Sequence, residues 1–285
     1  MNLATSAFLN FAALLLGAMG AMTAGYSGGL AFALEGMMTA GGLAGVLCSH
    51  QPAPAGLLAA GAAGAVYALL LWSAVQRKGD SLFAGIALNG LAAALTTVIA
   101  RLIGGVSYSR KTFQLLVNGE NVTVFLPAAL LLFLLIWGLL FHSQWGLRLR
   151  FCGQSGETAV KMGLRVGGMR CLGFALCGFL AGIGGLAAFI ALGGGWRTEW
   201  GVGGMGFLAL AAVLLGRWRP WAILVSAVLF AAVRTGAEAA ALAGLGVPEG
   251  VFRLLPFLLA LTVLAIIGKK DRVPAEIDRM RTYRS

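Results

Sequence analysis

Apolar residues run in blocks of about 20 along most of the chain, and short polar stretches separate the blocks. A helix rises ~1.5 Å per residue, so about 20 apolar residues cross the ~30 Å hydrocarbon layer of a bilayer. By that measure nine segments stand out, at roughly 3–24, 28–48, 54–76, 81–103, 122–142, 171–193, 203–216, 219–245 and 251–268. They predict an all-α, polytopic transmembrane helix bundle over residues 1–268, followed by a polar tail over 269–285. The second and seventh segments are poor spans. The second carries Gly28, Gly29, Glu35, Gly36, Gly41 and Gly42, and the seventh is short and opens with Gly201, Gly203, Gly204 and Gly206. Broken backbone survives at membrane depth only where protein or a water-filled path satisfies the freed N–H and C=O groups. Both segments are therefore expected inside the bundle.

Composition agrees with the pattern. Of 285 residues 59% are hydrophobic and 11% charged, against about 25% charged in soluble domains, which leaves too little polar surface for a water-soluble globule. The net charge of +11 would suit a nucleic-acid binder if it formed one patch. Instead the basic residues sit between apolar runs, most densely over 143–170 and 269–285. The loop over 143–170 holds Arg148, Arg150, Lys161, Arg165 and Arg170 against Glu157. Basic loops mark the cytoplasmic side, which predicts a multi-pass protein of the plasma or inner membrane with a cytoplasmic C-terminus. The expected partner of the charge is the lipid headgroup layer, not nucleic acid. Residues Met1 to Ala4 lack the basic start of a secretory signal, so the first run is expected to stay as a span.

Candidate chemistry is sparse. No P-loop, no HExxH and no Ser/His/Asp set occurs, so no catalytic residue, and no cofactor bound by this chain, is expected. Cys48, Cys152, Cys171 and Cys177 have no CxxC spacing and His50 lies far from His142, so no metal site is proposed. Glu35, Asn89, Arg101, Arg234 and Glu238 fall within apolar runs or near their ends. Ionisable groups at such depth are paired or face the bundle interior. Arg234 and Glu238 are one helical turn apart, which predicts a structural ion pair, and Arg101 is placed to snorkel. Glu35 has no local partner; it is either a hydrogen-bond hub or a lining residue of a path, and Asn89 is either a path residue or helix–helix glue. Glycine pairs at Gly41/Gly45 and Gly178/Gly182 fit close helix packing, with a sliding interface as the other reading.

The loop from Trp145 to Gly163 has the length for a short cytoplasmic helix between two turns. Ser155 is its expected N-cap, Glu157 lies near the positive end, and Ala159, Val160 and Met162 are the expected docking face for a soluble partner. This loop resembles that of the membrane-spanning permeases of ABC importers, in the branch for branched-chain amino acids, simple sugars and nucleosides. The matching residues are Gly146-Leu147-Arg148-Leu149-Arg150, Gly153, Glu157, Ala159, Gly163 and Leu164. Gln154-Ser155-Gly156 stands where that branch has Glu-Asn-Pro, and Thr158 replaces an Ala. In order along the chain, Ala24 to Met38, Phe83 to Asn89, Gly203 to Ala212 and Gly216 to Pro220 also resemble stretches of the nucleoside and simple-sugar subgroup.

The resemblance implies a machine of several chains. ABC ATPase subunits carrying ATP and Mg would dock on the loop through Gly153, Glu157, Ala159 and Gly163. A second permease subunit, related or identical, would complete the path, and an extracytoplasmic solute-binding protein would deliver the solute. A nucleoside is the first expectation for the cargo, with a simple sugar or a riboflavin-like nutrient as alternatives. A proton-coupled secondary transporter using Glu35 or Glu238 is the alternative from another class.

Overall fold

Helices form over the apolar runs in the computed structural model, which describes residues 3–48, 53–76, 80–103, 125–192, 201–242 and 249–267. The tail over 269–285 and the loop over 104–121 lie outside these residues. The helices are α1 (Leu3–Tyr26), α2 (Leu34–Leu47), α3 (Ala53–Gln76), α4 (Ser81–Leu102), α5 (Phe125–His142), α6 (Gln144–Gln154), α7 (Gly156–Lys161), α8 (Val166–Ala191), α9 (Met205–Leu215), α10 (Pro220–Leu242) and α11 (Glu249–Ile267). Among the described residues there is no strand.

The nine apolar runs coincide with α1 to α5 and α8 to α11. By length and composition α1, α3, α4, α8 and α10 can each cross a membrane, and α5 turns into α6 through a bend of 71°. The poor second and seventh runs become α2 and α9, of 14 and 11 residues, which at 1.5 Å per residue reach about 21 and about 16 Å. Each is a half-span preceded by a glycine-rich approach.

α1 and α8 form the centre and are buried along most of their length. They run antiparallel, since Gly173 faces Thr23 and Ser27 while Gly184 faces Ala13 and Gly17. The remaining contacts have a two-fold pattern. α1 packs on α10 and α9, and α8 packs on α3 and α2. α2 packs on α3 and α4, and α9 on α10 and α11. Exchanging α1–α4 with α8–α11 therefore returns the same neighbours, and the antiparallel centre makes the two halves inverted copies in packing. Folds of this kind bring broken helices together near the bilayer midplane. Here α2 and α9 meet N-terminus to N-terminus, so closely that a Cβ on Gly206 would strike the backbone of Glu35. α5, α6 and α7 are the insert between the halves.

Glycine sets the helix spacing. Lipid gives little hydrophobic force between helices, so contact rests on close backbone approach. Gly41 lies against Gly182, Gly178 against the Gly64 carbonyl, and Gly185 against the Met38 carbonyl, which locks α8 to α2 and α3. The outer face of α4 is apolar and exposed at Phe83, Ile86, Leu95 and Leu102, as lipid contact requires. The Gly185→Val variant should overpack this seam and cost about 1–3 kcal/mol. Gly90, whose Cβ position is open, should accept alanine with a gain of up to about 1 kcal/mol. Thermal unfolding in detergent separates the two; equal melting temperatures would contradict the packing described.

Candidate functional site

The first four N–H groups of a helix lack intrahelical partners, and the helix end carries partial positive charge. Inside a membrane bundle protein groups must satisfy them wherever water does not reach. For α9 the solution comes from α2. Glu35, in the first turn of α2, accepts the N–H of Gly204 on Oε1 at 2.9 Å and that of Gly206 on Oε2 at 2.7 Å. Gly204 can be nothing else. It has φ +78°, a left-handed conformation, and a Cβ there would collide with the ring of Phe257.

The same turn is held from the other side. Arg234 on α10 donates from Nη1 to the Gly203 carbonyl at 2.9 Å, and its Nε lies 3.3 Å from Glu238 Oε1. Asn10 on α1 donates from Nδ2 to Glu238 Oε2 and faces Thr235 Oγ1, each at 3.2 Å. Four elements, α1, α2, α10 and the approach to α9, are thus tied by one polar network inside an apolar bundle. Asn89 does the corresponding work for α2. From α4 its Oδ1 accepts the Gly36 N–H at 2.8 Å and its Nδ2 donates to the Phe32 carbonyl at 2.9 Å, satisfying one N–H and one C=O at that break.

The second feature is an arm at the end of the bundle where α1 finishes. Ser143 caps α6, accepting from the N–H groups of Trp145 and Gly146. Ser155 caps α7 by accepting from the Thr158 N–H. α7 ends in a Schellman pair, with Gly163 N–H to the Val160 carbonyl and Leu164 N–H to the Ala159 carbonyl. Gly163, at φ +78°, is the left-handed residue that the motif needs. Gly153 presses α6 against the Tyr26 carbonyl, where a Cβ would not fit. Burial pushes the neighbouring Cys152 thiol up, against the lowering pull of Arg170.

The arm corrects part of the expected docking face. Ala159 is fully buried against the bundle, while Val160 and Met162 are 62% and 69% exposed. The free face is therefore Glu157, Val160, Lys161 and Met162, and Gly153 and Ala159 are the residues that seat the arm.

Residues 3–264 match the family described as branched-chain amino acid transport system / permease component. The chain is a permease of that family. It is accordingly an ABC transporter permease and a multi-pass membrane protein. The permease is 30% identical to the guanosine ABC transporter permease protein NupQ of Bacillus subtilis, over 96% of this chain and 94% of that one. It is 30% identical to the nucleoside ABC transporter permease protein NupC of Lactococcus lactis over 51% of this chain and 46% of that one. A putative glucose ABC transporter permease protein, TsgC13 of Haloferax volcanii, is 28% identical over 76% and 71%.

The structure brings Glu35, Arg234 and Glu238 to one turn of the permease, places Asn89 at the neighbouring break, and puts Gly153, Glu157, Ala159 and Gly163 on the arm. Arg101 lies exposed in the last turn of α4. Sequence reasoning passed over Asn10, Tyr26 and Trp218. A lone amide in a 24-residue apolar run was the available signal for Asn10. Among the described residues no group of His, Cys, Asp or Glu gathers as a metal site, and all four cysteines are free.

Substituting leucine for Glu35 would leave two buried N–H groups unpaired, at about 1–3 kcal/mol each. We expect Glu35→Leu to melt well below wild type and Glu35→Gln, which keeps one acceptor, to fall between. Glu157→Gln, on the exposed face, should melt with wild type. A Glu35→Leu protein as stable as wild type would remove the cap from the account.

Proposed function

We propose that the permease imports a nucleoside, driven by ATP hydrolysed on a separate chain. The observation that carries this reading is the similarity along nearly the whole chain to a guanosine permease. The nucleoside permease of Lactococcus supports the same solute class over half the chain. In this reading ABC ATPase subunits, holding ATP and Mg, dock on the exposed face of α7 around Glu157, Val160 and Met162. A second permease subunit and an extracytoplasmic solute-binding protein complete the assembly. Arg148 and Arg150 lie on α6, Arg165 and Arg170 at the start of α8, and Arg217 and Arg219 in the α9–α10 turn, and basic residues mark the cytoplasmic side. The basic tail over 269–285 supports a C-terminus on that side as well.

The translocation path runs beside the junction of α2 and α9. Glu35 and Asn89 shape its wall by holding the two helix ends, and the Arg234–Glu238 pair braces the turn from behind. ATP-driven closure of the ATPase pair moves α7, and a cargo is released when the cavity changes sides. Such a switch needs the two states to differ in their affinity for the cargo or for the binding protein.

A simple sugar is the second reading, on the strength of the Haloferax relative. Uptake of labelled guanosine and labelled glucose into cells with and without this chain decides between them. We expect guanosine uptake to vanish on deletion, to need ATP, and to persist in an uncoupler for as long as ATP lasts. Loss of glucose uptake alone would move the cargo to the sugars, and uptake that follows the proton gradient would overturn the ATP-driven reading. Glu157→Lys reverses the charge on the docking face, so it should insert normally yet lose both the ATPase on pull-down and more than about 90% of uptake, the loss that ~1.4 kcal/mol or more of docking energy entails.

A further inference from the structure

α9 is held at both ends. Its N-terminal end meets Glu35, as described. Its other end is a turn of unusual conformation, with Arg217 and Trp218 at φ +49° and +62°. Residues with a side chain rarely take up this region, and two in succession stay there only when their surroundings impose it. The surroundings are at the end of α1. The Trp218 indole is buried and packs against Gly25, where a Cβ would overlap the ring. The Tyr26 hydroxyl donates to the Trp218 carbonyl at 2.5 Å.

Tyr26 also faces the arm. Its own carbonyl is the surface on which Gly153 of α6 rests. Its ring stands edge-on to Phe141 at the end of α5, with centroids 5.9 Å apart, and Arg150 of α6 lies 4.6 Å over that same Phe141 ring. α7 is joined to α6 through the single residue Ser155. Tyr26 therefore lies between the arm and the end of α9.

We infer that Tyr26 is a positioning residue for transport, the joint through which displacement of the α6–α7 arm reaches α9 and, 11 residues further, the Glu35 cap at the bundle centre. The role rests on the reading of α7 as the ATPase-docking element. If the arm moves, Gly153 drives the last turn of α1; Tyr26 hands the movement to the Trp218 carbonyl, and the strained turn transmits it because it is pinned and has no slack of its own. Cutting the hydroxyl link leaves the docking face untouched, so hydrolysis continues while α9 stops following.

The test is Tyr26→Phe in the assembled transporter, reconstituted in proteoliposomes with its ATPase and binding protein, with labelled guanosine uptake and phosphate release measured together. The ring contacts survive in this variant and the hydroxyl alone is lost. We expect hydrolysis to stay within about twofold of wild type while uptake per ATP falls about fivefold, the factor that one lost hydrogen bond carries. Tyr67→Phe is the control. Its hydroxyl donates to the Leu88 carbonyl between α3 and α4, away from the arm, and it should couple as wild type does. A Tyr26→Phe transporter with unchanged uptake per ATP overturns the role. So does a parallel fall of uptake and hydrolysis, which is what a purely structural tyrosine would give. Wild-type uptake indifferent to ATP would instead defeat the importer reading itself, and the two failures are told apart by the wild-type trace alone.

Discussion

The bundle depends on one carboxylate placed between two helix ends. α2 and α9 approach N-terminus to N-terminus, so two partially positive ends face each other inside the bundle. Glu35 resolves the conflict by lying between them and accepting the Gly204 and Gly206 N–H groups. An acidic side chain at the centre of a membrane helix costs about 2.5–3.5 kcal/mol, whereas hydrogen bonds to a charged group contribute about 1.5–3 kcal/mol each. Two such bonds, with the attraction of the helix end added, are of the same size as the burial cost. Arg234, bonded to the Gly203 carbonyl next door, balances the charge.

That cap allows a helix to begin in the middle of the membrane, and the rest of the architecture follows. The two inverted halves each contain one half-span, and those half-spans meet at the pseudo-two-fold. The ends are closed by different chemistry, a carboxylate for α9 and the Asn89 amide for α2. α9 is the shorter, and it joins the cap to the turn beside the arm. A short helix fixed at both ends moves as a rigid rod, which is why an event at the surface can be felt at the centre. The glycine seams of α8 against α2 and α3 give that rod a stiff frame to move within.

Much of the fold was legible in the sequence, because hydrocarbon thickness imposes one length on every full span and glycine marks where that length fails. The breaks at 28–36 and 201–206 were visible as glycine clusters, and the arm was visible as a capped polar loop with Ser155 ahead of Glu157. The inverted repeat was not visible. Its two halves share packing rather than residues, as Glu35 and Gly206 demonstrate by occupying matching places. The site was legible in its titratable members and in Asn89, but not in how they join. Helical spacing suffices to join Arg234 to Glu238, but nothing local joins Glu35 to residues 169 and 171 positions away. Ala159 looked like docking surface because it is apolar within an exposed helix, and the chain's path back along the bundle buries it. Tyr26 and Trp218 gave no local signal, since their hydrogen bond spans 192 positions.

Site-directed labelling tests the central claim, that α9 carries the arm's movement to the bundle centre, most directly. Phe207 lies in the first turn of α9 and is 52% exposed; Phe83 lies on the lipid face of α4 and is 71% exposed. In a cysteine-free background, Phe207→Cys and Phe83→Cys would be reacted with a maleimide in the assembled transporter, first without nucleotide and then trapped with ATP. The account predicts that the labelling rate at position 207 changes severalfold between the two states while the rate at position 83 does not. Equal rates at 207 in both states would mean that α9 stays still while the ATPase works, and would contradict the account.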